Sequence, residues 1–332
     1  MIGKDKTLAR EYTLKYNSVA VVSDGSAILG LGNLGPEAAI PVMEGKAILF
    51  KEFADIDAFP LCLDTQDTEE IIRTVKIIAP VFGGINLEDI SAPRCFEIET
   101  RLRAELDIPV MHDDQHGTAV VVLAALINAL KLKKLDKQAA RVLINGAGAA
   151  GSAVAELLLL CGIKEIIVCD SKGAIYQGRA DLNDEKVKLA KITNHAKVQG
   201  SLEQVIKGID VFIGVSKGNV LSAEMVKTMA KQPVIFAMAN PAPEIMPDIA
   251  KQAGAFIVAT GRSDFPNQIN NVLAFPGIFR GALDNKIQQF TDQMFLAAAQ
   301  ALAASVSDPA PDRILPSVFD KGIAGIIASS IK

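Results

Sequence analysis

Short apolar runs alternate with longer amphipathic stretches through the first third of the chain. Runs of strand length occur at residues 19–22, 59–63, 81–85 and 109–111, and helical spacing occurs at 37–53, 68–78 and 95–105. This alternation is typical of βαβ units, which build a mostly parallel sheet. The pattern predicts an α/β domain in this part of the chain.

A second alternating region follows a long helix predicted at residues 118–134. Strand-like runs recur, with helical stretches between them, at 141–145, 165–170, 211–214, 233–237 and 256–258. Such a series predicts a Rossmann-type domain. The chain then turns strongly helical at 288–305 and 320–332. We therefore predict an α/β fold of two domains, in which residues 1–115 and the helical tail 272–332 form one domain and residues 116–271 form an inserted Rossmann-type domain.

The Gly-x-Gly-x-x-Gly pattern occurs twice, and its context separates the two copies. The copy at residues 146–151 lies between a strand-like run and an apolar helix, as a turn that holds a pyrophosphate requires. Asp170 ends the next predicted strand, 19 residues after Gly151, near the spacing expected for a carboxylate that binds a ribose. We predict dinucleotide contacts from Gly146, Gly148, Ala149, Ala150, Gly151 and Asp170. The copy at 30–35 precedes Pro36 and Pro41, and we interpret it as a turn in the other domain.

Composition limits the function classes. The net charge is −4 with three histidines, so nucleic-acid binding has no electrostatic support. Half of the residues are hydrophobic and the mean hydropathy is +0.28, yet the apolar stretches fall short of the roughly 20 residues that a membrane span needs. The N-terminus shows no apolar signal region, so we expect a cytoplasmic protein. Four cysteines without Cys-x-x-Cys spacing predict free thiols.

Four acids follow two predicted strands of the first domain. Glu88 and Asp89 come after one strand, and Asp113 and Asp114 come after the next. Because the carboxyl ends of parallel strands meet at one edge, these acids predict an oxygen-rich site for Mg²⁺ or Mn²⁺ and make this the substrate and metal domain. Helix capping is the alternative for each single acid. His112 and His116 have i, i+4 spacing, which is weak evidence for zinc without an intervening Glu next to the first His.

A lysine and several amides are further candidates. Lys46 interrupts an apolar helical stretch, where burial would lower its pKa and favour a role as a base. A surface lysine with a buried stem is the alternative. Asn240 and Asn271 lie in amide-rich segments that can orient a carbonyl or carboxylate beside a nicotinamide. Ser216 lies in an edge loop that either contacts the cofactor or is a simple exposed turn.

Taken together, these segments resemble the malic enzymes, and more closely the small bacterial and archaeal type. The resemblance runs in order over nearly the whole chain and rests on residues 23–32, 41–46, 85–89, 112–118, 236–243 and 270–277. It implies oxidative decarboxylation of L-malate to pyruvate and CO₂ with reduction of NAD or NADP. It also implies that Lys46 is the general base with Asp113 beside it, that Glu88, Asp89 and Asp114 hold Mg²⁺ or Mn²⁺, and that Asn240 and Asn271 contact substrate and nicotinamide. A homodimer or larger homo-oligomer is implied as well.

The sequence departs from the family pattern at two places. A Tyr-Thr-Pro-Gly-like segment with a catalytic tyrosine is expected upstream of Ser23 and is not found, and none of Tyr12, Tyr16 and Tyr176 has that context. We expect a truncation, a misassigned start or a deletion to explain this, and oxidation to survive it better than enol protonation. Larger malic enzymes place a carboxylate-binding arginine near residues 26–27, where this chain has Ser26 and Ala27.

Three questions stay open at this level. Asp170 favours NAD by repelling a 2′-phosphate, whereas Lys172 softens that exclusion. Oxaloacetate decarboxylation without net redox uses the same acids and is an alternative activity. A truncated, inactive homologue that only binds the cofactor is another.

Overall fold

The structure is a computed structural model that describes residues 1–332 and divides into two compact units. Unit 1 comprises Met1–Gly117, Asn271–Ala301 and Phe319–Lys332. Unit 2 comprises Thr118–Asn270 and Leu302–Val318. The division runs after Gly117 and after Asn270, where the sequence pattern predicted 115 and 271.

Unit 1 is built on a four-stranded sheet in the order β2-β1-β3-β4, with every neighbouring pair parallel. Its strands are β1 (Ser18–Ser23), β2 (Asp57–Cys62), β3 (Gly84–Leu87) and β4 (Val110–His112). Strand β3 begins later than predicted, because residues Ala79–Val81 form a 3₁₀ turn around Pro80 instead of extended chain.

Unit 2 is built on a six-stranded sheet in the order β10-β9-β8-β5-β6-β7. Its strands are β5 (Arg141–Asn145), β6 (Glu165–Asp170), β7 (Gly173–Ala174), β8 (Val211–Gly214), β9 (Val234–Ala237) and β10 (Ile257–Thr260). All pairs are parallel except β6 and β7, which are antiparallel. The predicted α/β class and Rossmann-type sheet are confirmed, and the short strand β7 is an addition.

The helices of the chain, in order, are α1 (Ala9–Tyr12), α2 (Pro36–Ala54), α3 (Thr68–Ile78), α4 (Arg94–Glu105), α5 (Asp113–Lys133), α6 (Ala149–Cys161), α7 (Asp184–Ile192), α8 (Leu202–Val205), α9 (Ala223–Thr228), α10 (Pro247–Gln252), α11 (Phe275–Asp284), α12 (Asp292–Ala304) and α13 (Ile323–Ala328). Helix α5 begins five residues before its predicted start, so Asp113 and Asp114 form its first turn. Helix α5 is also long and apolar enough to pass a composition test for a membrane span, but most of its side chains are buried within the protein.

Each unit has its own core. In unit 1, aromatic rings on α2, α11 and the segment before α12 pack in sequence, with centroid distances of 4.7 Å for Phe50–Phe275 and 5.5 Å for Phe279–Phe290. In unit 2, apolar side chains of the sheet, including Leu143, Phe212 and Ile235, pack against the helices on one face. Burial of these rings and aliphatic chains is the main favourable contribution to folding of each unit.

The C-terminal tail is divided between the two units, whereas the sequence pattern assigned residues 272–332 to the first domain as a whole. Residues Leu302–Val318 belong to unit 2. There the Asn128 amide donates to the carbonyls of Ala303 and Ile314, at 3.0 and 2.9 Å. Asn267 accepts from the Ile314 N–H at 2.9 Å. These buried polar contacts over long sequence separations leave no periodic signal in the tail itself.

Candidate functional site

The four acids of unit 1 lie at the carboxyl edge of two neighbouring strands. Glu88 and Asp89 follow β3, and Asp113 and Asp114 follow β4, with Leu87 paired to His112 across the sheet. Asp114 accepts a hydrogen bond at 2.9 Å from the backbone N–H of Asp89, which ties the two pairs together. The predicted meeting of these acids at one sheet edge is therefore present in the structure.

Lys46 is buried among these acids. Its Nζ lies 2.5 Å from both Glu88 Oε2 and Asp113 Oδ2, and its side chain is 6% exposed. Helix α2 brings it there, because Ala39, Met43, Lys46 and Phe50 form the buried face of that helix. The Phe275 ring on α11 lies under the ammonium, 4.4 Å from Nζ to the ring centroid. The alternative of a surface lysine is wrong.

The charges of the cluster set its protonation. Burial pulls the pKa of Lys46 down, but the carboxylates of Asp113 and Glu88 outweigh it and raise that pKa above the usual lysine value. The expectation that burial leaves Lys46 with a lowered pKa is thus wrong. Burial raises the pKa of Asp113 to about 8, and burial with the charges of Asp114 and Glu88 raises the pKa of Asp89 to about 8. One ammonium does not balance four carboxylates.

Two amides complete the contacts of the cluster. The Asn271 side chain donates to Asp113 Oδ2 at 2.5 Å, and the Asn86 side chain donates to Glu88 Oε2 at 3.0 Å. Asn271 was predicted as a substrate and cofactor contact, and the structure places it against Asp113 across 158 residues of sequence. Asn86 was not predicted, although it lies within the same motif as Glu88.

Gly117, one turn after Asp113 on α5, leaves the space in which the Asp113 carboxylate sits. A Cβ at this position would lie 1.8 Å from Asp113 Oδ1 and 2.8 Å from its Cγ. Real Cβ atoms do not approach that closely, and Asp113 is fully buried and cannot move into solvent. The glycine of the 112–118 motif therefore fixes the carboxylate beside Lys46.

We expect Gly117→Ala to displace the Asp113 carboxylate from Lys46 and to lower turnover about tenfold or more, the scale of a lost charge-assisted hydrogen bond. The matched control is Gly325→Ala on α13, where a Cβ meets nothing within 4 Å. Alanine should stabilise that helix slightly and leave turnover unchanged. Equal activity of both variants would remove this role of Gly117.

A second polar group holds the start of α5. Glu99 on α4 is buried and accepts from the backbone N–H of His112 and from the Gln115 side chain, both at 3.0 Å. His116 Nε2 lies 2.9 Å from Glu99, and its ring stacks on Phe295. His112 is buried, which lowers its pKa to about 4. No group of three or more His, Cys, Asp and Glu side chains is arranged as a preformed metal site.

The carboxylates nevertheless fit a divalent cation in their chemistry. Asp89 Oδ2 and Asp113 Oδ1 are both buried, and neither has a hydrogen-bond partner. Buried carboxyl oxygens without donors, on groups whose pKa is raised by like charges, are what a hard cation compensates.

The dinucleotide pattern in unit 2 borders a cavity of about 850 Å³. Gly146 has φ +130°, and a Cβ there would lie 2.6 Å from the Val215 carbonyl oxygen. A Cβ at Gly151 would lie 1.8 Å from the Gly146 oxygen, whereas one at Gly148 meets nothing within 4 Å. The first and third glycines thus allow the tight turn and the helix packing, and the second leaves the approach to the backbone open. Ala149 and Ala150 form the first turn of α6.

The other predicted cofactor residues of unit 2 lie at strand ends. Asp170 ends β6 and lines the cavity together with Lys172, Lys186 and Ser216. The Asp170 carboxylate is bound at 2.9 Å by Arg179 and at 2.7 Å by Lys186. Asn240 follows β9 and is exposed. A Cβ on Gly261 would lie 3.4 Å from the Asn240 side-chain nitrogen.

Family models match nearly the whole chain. The malic enzyme N-terminal domain matches residues 2–103, and the malic enzyme NAD binding domain matches residues 115–329. The chain belongs to the malic enzyme family.

Three relatives illustrate this membership. The bifunctional malic/malolactic enzyme of Bacillus subtilis is 56% identical over 99% of this chain and 81% of its own length. The NADP-dependent malic enzyme of Rhizobium meliloti is 52% identical over 94% of this chain and 41% of its own length. The crystal structure of the NAD-dependent malic enzyme of Thermotoga maritima is 52% identical, with a TM-score of 0.97 over 100% of this chain and 88% of that one.

The site residues of this malic enzyme fall into two groups, those that the sequence pattern predicted and those that it did not. The strand ends and glycine pattern pointed to Glu88, Asp89, Asp113, Asp114 and Gly146–Gly151 directly. Asn86, Gly117 and Phe275 lie inside the segments on which the family resemblance rests. The sequence pattern did not predict them as site residues, because their role is to position other side chains. The four cysteines are free thiols, as predicted, and burial raises the pKa of Cys95 to about 12.

Proposed function

We propose that this malic enzyme catalyses the oxidative decarboxylation of L-malate to pyruvate and CO₂ with reduction of NAD or NADP. The observation that supports this best is the buried ammonium of Lys46 held between the Glu88 and Asp113 carboxylates. A buried lysine with two acid partners is a costly arrangement, and such groups concentrate at sites of proton transfer.

We propose Glu88, Asp89 and Asp114 as the residues that hold Mg²⁺ or Mn²⁺. A bound divalent cation polarises a hydroxyl or carbonyl oxygen and stabilises the negative charge that develops there. The unpartnered Asp89 oxygen and the excess of carboxylates over cations support the assignment. The Asn86 side-chain amide donates to Glu88 Oε2 and so orients that carboxylate.

Lys46 and Asp113 are proposed to move the hydroxyl proton of malate. Lys46 Nζ accepts that proton once its own excess proton has passed to Asp113 Oδ2, 2.5 Å away. Burial raises the pKa of Asp113 to about 8, so its carboxylate is closer in basicity to the Lys46 amine than an ordinary aspartate would be. The Asn271 amide holds Asp113 in place and is proposed to contact the substrate as well.

Unit 2 is proposed to bind the dinucleotide through the turn at residues 146–151, with Asp170 at the adenosine ribose and with Ser216 and Asn240 toward the nicotinamide. A bound nicotinamide accepts the hydride that leaves malate. The cavity beside Gly146 and Gly148 has a volume of about 850 Å³ and lies at the N-terminus of α6, where backbone amides favour a pyrophosphate.

We propose NAD as the preferred cofactor, with NADP also accepted. The Asp170 carboxylate opposes a 2′-phosphate, while Arg179 and Lys186 neutralise part of its charge. We expect Asp170→Ala to lower kcat/KM for NAD about tenfold more than kcat/KM for NADP, since a good charge contact is worth roughly a factor of ten. Glu224→Ala, which removes a 79% exposed carboxylate of α9 that pairs with Lys227 and does not line the cavity, is the control and should keep the ratio near that of the parent. An equal loss for both cofactors would remove Asp170 from the ribose site.

A homodimer or larger assembly is also proposed. Exposed apolar side chains near the N-terminus support it, since Tyr12 is 62% exposed, Leu14 53% and Tyr16 56%. Light scattering on the purified chain tests this, and a monomer at micromolar concentration would contradict it.

The activity is tested by mixing the purified chain with L-malate, Mn²⁺ and either NAD or NADP. Reduced cofactor and pyruvate should form in equal amounts. Lactate is assayed in parallel, because the Bacillus subtilis relative is named a bifunctional malic/malolactic enzyme. Decarboxylation of oxaloacetate without any oxidation of malate would instead support the lyase alternative, and cofactor binding without turnover would support an inactive homologue.

A further inference from the structure

Glu244 is a fully buried carboxylate in unit 2 that the proposed chemistry does not use. It is 0% exposed and lies in the loop between β9 and α10. Burying a carboxylate without a cation is costly, so its partners show what it does.

The partners of Glu244 are backbone donors from two different loops. One carboxylate oxygen accepts from the Ser216 N–H at 3.2 Å, in the loop after β8. The other accepts from the Ala239 N–H at 3.0 Å, in the loop after β9. One side chain therefore joins the two loops that leave the carboxyl ends of neighbouring parallel strands.

The loop after β8 is also held by the end of β5, the strand that leads into the turn at residues 146–151. The Asn145 amide, at the end of β5, donates to the Ser216 hydroxyl at 2.8 Å. Asn145, Gly146 and Ser216 all line the 850 Å³ cavity. The connected series Asn145, Ser216, Glu244 and Ala239 thus crosses three strand ends behind one wall of that cavity.

Gly214 shows how closely the carboxylate is fitted. A Cβ on Gly214 would lie 2.2 Å from Glu244 Cδ and 2.4 Å from Oε1. The last residue of β8 must therefore lack a side chain for the carboxylate to reach both donors. Gly214 pairs with Asn145 and with Ala237 across the sheet, so this close packing occurs at the centre of the carboxyl edge.

We infer that Glu244 is a positioning residue for dinucleotide binding, which sets the Ser216 and Asn240 loops in the conformation that receives the cofactor. Both loops carry residues proposed above to contact the nicotinamide end, so the inference rests on the proposed function. Glu244 does not line the cavity. Its effect passes through the backbone amides of Ser216 and Ala239.

The test compares two buried carboxylates of unit 2. Glu244→Gln keeps the shape but replaces one acceptor oxygen by an NH₂ group that faces a backbone donor. Asp210→Asn is the matched control, because Asp210 is also buried, accepts from the Arg141 N–H at 3.1 Å and lies at the opposite, amino end of β8. The readouts are the dissociation constant of NADH, followed by its fluorescence, and the thermal midpoint of unfolding.

Glu244→Gln should weaken NADH binding about tenfold or more, because an unpaired buried donor costs on that scale. It should also raise the KM for the dinucleotide without raising the KM for malate. Asp210→Asn should lower the thermal midpoint and keep NADH affinity within about twofold, since it does not touch the cavity wall. NADH affinity that is unchanged in folded Glu244→Gln, or equally weakened in Asp210→Asn, would overturn the inference.

A reciprocal variant tests the same contact without changing the carboxylate. Gly214→Ala should displace Glu244 from its donors and weaken NADH binding to a similar extent. The double variant Gly214→Ala/Glu244→Gln should lose little more than the larger single loss, since both changes break one interaction. Fully additive losses would contradict the inference. Because NADH binding needs no malate, a chain that binds NADH normally but does not oxidise malate would refute the proposed activity and leave this inference standing.

Discussion

Replacement of Lys46 by methionine is expected to lower the turnover of L-malate about 10³-fold, within the range that a positioned general base contributes. The ammonium is the one cation in contact with both Glu88 and Asp113, and no other lysine or arginine is bound to either acid. Methionine keeps an unbranched apolar stem over the Phe275 ring, so the packing of α2 on α11 should persist. The loss is then one of proton transfer and charge.

Steady-state rates with saturating L-malate, Mn²⁺ and NAD measure this effect, and circular dichroism checks the fold. The matched control is Lys51→Met on the same helix, whose ammonium is 56% exposed and pairs with Asp55 and Asp57. Exposed pairs of this kind contribute little, so the control should retain the parent rate. A Lys46→Met enzyme with more than a tenth of the parent rate would contradict the assignment of Lys46 as the base.

Replacement of Asp89 by asparagine is expected to weaken Mn²⁺ binding by at least about 100-fold, because even groups that only orient metal ligands are worth 10–100-fold. Asp89 has a buried carboxyl oxygen without a hydrogen-bond donor, and its pKa is raised to about 8 by burial and by the charges of Asp114 and Glu88. A neutral amide removes the charge and replaces one of the two carboxyl oxygens by an NH₂ group.

The same raised pKa gives Mn²⁺ affinity a pH dependence of defined sign. Below about pH 8 the metal-free Asp89 carries a proton that the cation must displace, so affinity should fall as the pH is lowered from 8 toward 6. Above pH 8 that dependence should level off. In Asp89→Asn the slope should be smaller, with the remainder due to Glu88 and Asp114, whose pKa values are also raised.

Titration calorimetry with Mn²⁺ at several pH values measures both effects without turnover. Glu97→Gln is the control, because Glu97 is 58% exposed on α4 and contacts only Arg101 among charged groups. Its Mn²⁺ affinity should match that of the parent at every pH. An Asp89→Asn chain that binds Mn²⁺ as tightly as the parent would place the metal elsewhere.

Much of this malic enzyme follows from its sequence alone. Periodicity indicated the α/β class, the helices α2 to α6 and α12 to within five residues, and the Rossmann-type strands β5, β6, β8, β9 and β10. The pattern at 146–151 and the acids after β3 and β4 indicated the two sites, because each depends on a strand, a turn and a helix that are adjacent in the chain. Sites of this kind can be predicted from short segments of the sequence.

Other features depend on residues that only the tertiary structure brings together. The burial of Lys46 against Phe275, the contact of Asn271 with Asp113 and the division of the tail all join distant segments. No single-residue pattern distinguishes a buried lysine from an exposed one when both interrupt an apolar helix. The packing of α2 against the acids at the sheet edge makes Lys46 an ammonium held between two carboxylates. The pKa of a buried group is set by the charges that packing places around it.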